Sequence, residues 1–151
     1  MAEFNKYEQL FNGGEYLPPQ EILSGITLEY AIKKVAPAMN TIYDELWHVA
    51  NWQDIVLNDD KTKYEKWKNQ QIIPAEQAKT QPEFDSLAEE FCKGIEQAIS
   101  IAKDTTRASV KLDYGITVAE SLDILATHNA YHLAKIVALR QIMGIWPPNK
   151  K

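Results

Sequence analysis

In "THNAYHLAKIVALRQIMGIWPP", residues 127–148, apolar side chains recur at helical spacing, and two of the chain's three histidines lie four positions apart. Residues one turn apart project to the same side of a helix. Upstream, Thr117 and Glu120 have the spacing of a capping box, in which a hydroxyl and a carboxylate each satisfy a free amide at a helix start. Val118, Leu122, Leu125, His132, Ile136, Leu139 and Met143 then form one stripe. Gly144 is a natural stop, and Pro147-Pro148 forbids continuation. The spacing predicts a helix over 118–143.

A second apolar stretch, "TIYDELWHVANWQDIVL", residues 41–57, holds the remaining histidine, His48. A helix start near Asn40 or Thr41 places Asp44 in the first turn, at the positive end of the dipole. Ile42, Leu46, Val49 and Val56 form a stripe that Tyr43, Trp47, Trp52 and Ile55 widen until little of the surface is polar. Such a helix belongs between neighbours, and it should end near Asn58-Asp59-Asp60. A third helix is expected from Pro82 to about Lys103, with Phe84, Leu87, Phe91, Ile95, Ala98 and Ala102 at helical spacing. Gly94 in its middle costs roughly 1 kcal/mol against alanine, which suggests close packing there.

The first forty residues are broken by glycines and prolines, and short helical pieces are expected over about 3–11, 19–24 and 27–35. Together they can supply a fourth wall. Residues 59–80 read as a long connection, and "DDKTKYEKWK" within it reads as a solvated loop. Strand signals are poor, because few windows alternate with period two. The fold class expected is all-α: a single domain over 1–151, built as a four-helix bundle with a long crossover.

Composition narrows the function. The net charge of −5 argues against a nucleic-acid partner, which calls for a basic patch to neutralise phosphates. No run approaches the ~18 apolar residues of a membrane span, since Arg140 interrupts the best of them. The opening "MAEFNKYEQLFNGG" lacks a basic stretch followed by an apolar one. With one cysteine, Cys92, no disulfide can form within the chain. A cytoplasmic protein without a membrane partner is expected.

Two histidines at i and i+4 can bind one metal ion, and His48 can face His128 and His132 if their helices pack side by side. The three are then either a ligand set with open positions for water or ordinary core histidines. Their placement in two apolar helices favours the ligand set. The site is not that of a zincin protease, because Asn129 stands where that motif needs its glutamate. Without a Cys-x-x-Cys pair a thiolate zinc site is excluded. A di-iron carboxylate bundle is also set aside.

"HNAYHLAKIVALRQIMGIWPP" closely resembles the last-helix signature of the DinB-like (DinB/YfiT) superfamily, and "TIYDELWHVANWQD" resembles its upstream partner motif. The resemblance runs from about residue 20 to 148. It implies a four-helix bundle with up-down-down-up connectivity, often dimeric. It also implies a divalent metal ion (zinc, nickel, iron or manganese) bound by His48, His128 and His132. Characterised relatives include metal-dependent transferases and isomerases that use small thiols such as bacillithiol, mycothiol or glutathione. Relatives often carry glycine and glutamine after the last histidine, where this chain has Ala134 and Lys135.

An open three-histidine metal is a Lewis acid that lowers the pKa of bound water or binds a thiol as thiolate. The expectation is therefore a metal-dependent thiol S-transferase taking a small thiol and an electrophile. A hydrolase and a non-catalytic metal-binding stress-response module are the alternatives. Asp44 either orients His48 or is a plain first-turn acid. Trp47, Trp52 and Trp146 either wall a pocket or fill the core, and Asn129 and Tyr131 are read as packing. Cys92 is read as an inert buried thiol.

Overall fold

The computed structural model describes residues 3–69 and 73–148. Among them lie α1 (Lys6–Asn12), α2 (Pro19–Ile22), α3 (Leu28–Ala31), α4 (Ile42–Asn58), α5 (Lys61–Asn69), α6 (Gln81–Lys103), α7 (Thr105–Ala108) and α8 (Val118–Ile142). The described residues contain no strand, only an isolated antiparallel bridge between Lys111 and Thr117 ahead of α8.

Each long helix starts at a threonine. Thr41, Thr80 and Thr117 accept hydrogen bonds from the amides of Asp44, Glu83 and Glu120, and those three carboxylates accept from the threonine amides in return. These capping boxes satisfy donors that a helix start would otherwise leave unpaired. The α8 box is the one its sequence spacing predicts. α1 starts at Asn5, whose side chain accepts from the amides of Tyr7 and Glu8, and stops at Gly13, whose φ of 79° is left-handed. The expected piece over 27–35 shrinks to the single turn of α3.

α4 packs along both α6 and α8, and α1 packs against the same two helices. Ile42, Leu46 and Val49 of α4 are fully buried, with Phe84, Phe91 and Ile95 of α6 and Leu122, Leu125, Leu133 and Ile136 of α8. Phe11, Ile22, Leu23 and Ile26 close this core from the N-terminal segments. α8 buries Asn129, His132 and Arg140 beside its leucines, so its inward face is not purely apolar.

Two buried polar groups fix how the elements meet. Gln53 of α4 donates from Nε2 to the carbonyl of Phe91 at 2.9 Å and accepts at Oε1 from Asn129 Nδ2 at 2.8 Å. Gly94 permits this approach: a Cβ there would stand 2.2 Å from Gln53 Nε2. Arg140 donates from Nη1 to the carbonyls of Ile22, at 2.6 Å, and Ser24, at 2.9 Å. Its Nε donates to Ile145 at 3.3 Å, and Trp146 lies over the guanidinium. Arg140 thus ties the loop after α2 to the segment after α8.

The connection over 59–80 departs from its reading as a loop. Residues 61–69 of it form α5, capped where Asp60 Oδ1 accepts from the Lys63 amide. α5 buries no residue completely, which is why no apolar stripe announces it.

Candidate metal centre

α4 and α8 lie side by side, and their packing brings together residues eighty positions apart in the chain. His48 lies between Leu46 and Val49 in α4 and, like them, is buried. His128 and His132 stand one turn apart on α8. The Nε2 atom of His128 lies 3.2 Å from Nε2 of His48 and 3.2 Å from Nε2 of His132. One ring nitrogen from each histidine falls within 4.8 Å of the others, and the group could hold a metal ion. The spacing suits one. Two nitrogens about 2.05 Å from a common tetrahedral ion stand roughly 3.3 Å apart.

The ring environments agree with that use. His132 Nδ1 donates to Glu45 Oε2 at 2.6 Å, which fixes the ring with Nε2 toward His128. Burial alone would raise the Glu45 carboxyl. Hydrogen bonds from His132 and Asn40 outweigh it, and the pKa lies below the ordinary 4.5. His128 is pushed down to about 4, first by burial and then by the repulsion a proton on it would meet from protonated His132 or His48, with Glu45 pulling the other way. It is therefore neutral at physiological pH, the form that can offer a lone pair to a metal. Its Nδ1 is buried and has no hydrogen-bond partner among the described residues.

Around the three imidazoles stand aromatic rings. Trp52 lies 6.0 Å from the His128 ring, and Trp67 of α5 lies 5.3 Å from the His48 ring. Trp67 and Trp52 touch each other at 5.0 Å, and Tyr131 meets His132 edge-on at 5.1 Å. Trp52 also lines a surface cleft with Val56, Asp59, Tyr64 and Tyr114.

Several expected helpers prove to have other work. Asp44 is taken up by its capping box and by Gln77, whose Nε2 donates to Oδ1 at 2.6 Å. Glu45, one residue on, is the carboxylate that orients a centre histidine. Sequence reasoning passes over it, although Glu45-Leu46-Trp47-His48 is the one Glu-x-x-His spacing in the chain. Of the three tryptophans read as candidate pocket walls, only Trp52 adjoins the centre. Trp47 lines a separate cleft with Tyr43 and Gln77, and Trp146 covers Arg140. Trp67 was hidden in the polar connection. Asn129 is packing, as expected, through Gln53, whereas Tyr131 is 59% exposed. Lys135 sits 3.7 Å from Glu45 Oε1 and over the Tyr131 ring. Burial raises the Cys92 thiol, which fits an unreactive role.

The family model of the DinB superfamily matches residues 20–136. The chain belongs to that superfamily, and its three-histidine cluster is compatible with the metal binding the family suggests. No curated protein and no solved structure shows a significant match. No helix among the described residues is long and apolar enough to cross a membrane.

Proposed function

We propose that the protein is a metal-dependent thiol S-transferase in which His48, His128 and His132 would hold one divalent ion, with a small thiol and an electrophile as its substrates. The observation that carries the metal reading is the 3.2 Å approach of His128 Nε2 to the other two ring nitrogens. A metal bound there supplies Lewis acidity, which makes a thiolate or hydroxide available at neutral pH. The chain's own groups do the rest. Glu45 holds the His132 ring in the ligating tautomer, burial keeps His128 neutral, and Trp52 and Trp67 exclude bulk water. Imidazole suits zinc, nickel, iron and manganese alike, so the donor set leaves the ion's identity open.

Elemental analysis of the purified chain tests this. The expected result is about one divalent ion per chain, lost in both His128→Ala and His132→Ala. Metal content equal in wild type and variants would remove the assignment. For turnover, the metal-loaded protein is offered a panel of small thiols with an epoxide or alkyl halide. The cleft that shares Trp52 with the centre supports an enzyme with room for such a co-substrate. A second reading, a metal-binding stress-response module without turnover, draws on the cover that Trp52 and Trp67 form over the histidines. No thiol or water reaction above the metal-free rate would favour that module.

The finer architecture belongs to the same proposal. α1, α4, α6 and α8 are read as the walls of an up-down-down-up bundle, because α1 and α4 each pack on both of the other two. A cytoplasmic location is supported by the single cysteine. A homodimer is supported by Ile124, Tyr131 and Ile142, which α8 leaves about 60% exposed.

A further inference from the structure

Trp67 belongs to α5, a helix whose other residues are mostly charged or polar and which packs on α4. Its ring nevertheless lies against His48 and Trp52. Tyr64, one turn earlier, also meets Trp52, at 6.0 Å. The two aromatic side chains are thus the apolar means by which α5 docks beside the three-histidine centre. Within that contact the indole Nε1 of Trp67 is buried and has no hydrogen-bond partner among the described residues. Buried tryptophan N–H groups are normally satisfied, and an orphan donor calls for an explanation. The orphan belongs to a ring that packs on a centre histidine.

We propose that Trp67 is a specificity-determining residue of this centre: its ring covers His48, and its indole N–H donates to an acceptor atom of a small anion held there. Thiolates, hydroxide and carboxylates share that chemistry. The inference rests on the metal reading above. No bond is made or broken, since Trp67 discriminates by a hydrogen bond that a neutral apolar occupant cannot accept. An unpaired buried donor penalises the wrong occupant as well as rewarding the right one.

The test uses the full chain loaded with Co2+, azide as the anionic probe, and the visible absorption of the cobalt as readout. Wild type is compared with Trp67→Phe, which keeps an aromatic ring and removes the donor, and with Trp67→Ala, which removes both. Cobalt content is measured before azide is added. The expected result is equal cobalt content in wild type and Trp67→Phe, with azide bound about tenfold more weakly by the variant. Trp67→Ala should in addition release cobalt to a chelator several-fold faster. Equal azide affinity in wild type and Trp67→Phe overturns the proposal, because the N–H would then be served by water. Loaded wild type that takes no azide overturns it too. Wild type that takes up no cobalt sinks the metal reading and this inference together, and the prior cobalt measurement tells that case apart from the others.

Discussion

Glu45 is 3% exposed, and three groups lean on its carboxylate: His132 Nδ1, Asn40 Nδ2 and, at 3.7 Å, Lys135 Nζ. Removing a partner that orients a metal-ligating histidine typically weakens metal affinity 10- to 100-fold. Glu45→Gln keeps the shape and loses the charge, so a drop of about tenfold is expected in competition against a chelator. Unchanged affinity would show that His132 needs no help. Acid should also be felt here. His128 titrates near 6.5 when unfolded and near 4 in the folded chain, so between those values the unfolded chain alone binds the proton. Stability therefore rises with pH through that window and is lost on acidification. The lowered carboxyl of Glu45 adds a loss of the same sign further down. The melting temperature of the metal-free protein should fall between pH 7 and 4.5, with a smaller fall in His128→Ala. An equal fall in both would discount His128. Of these side chains, the histidines were legible because four-residue spacing carries geometric meaning. Glu45 was not, since its role depends on which face of α4 meets α8.

Helix boundaries follow from chemistry written within four residues of each start, and the Thr-x-x-Glu spacing at α8 is readable for that reason. α5 was illegible on the same grounds: it has no apolar stripe, and only Tyr64 and Trp67 mark its inward side. Gly94 was read as a sign of close approach, and Gln53 is what approaches. Alanine there gains helix propensity of about 1 kcal/mol but must displace an amide nitrogen already bonded to Phe91. Overpacking of this kind costs about 1–3 kcal/mol, so Gly94→Ala should lower stability in urea melts. A stabilised variant would mean that Gln53 relocates freely.

For the molecule as a whole, pattern alone announced an all-helical chain with three long helices. How the short N-terminal helices seat against them was hidden, because that depends on Arg140 reaching the carbonyls of Ile22 and Ser24 more than a hundred residues away. The proposed homodimer makes its prediction at this scale. Sedimentation at micromolar concentration should give twice the 17.2 kDa chain mass, and Ile124→Asp with Tyr131→Asp should halve it. A single-chain mass for the wild type would leave the α8 face to water. Gln53 has a wider consequence. Greasy side chains tolerate sliding, whereas an amide clamped at its nitrogen by one neighbour and at its oxygen by another accepts a single longitudinal setting. It works as an index pin for three rods. Position 48 lies five residues before that pin on one rod, and position 128 sits immediately before Asn129 on another, so the alignment of the imidazoles is inherited from an uncharged glutamine that never touches them.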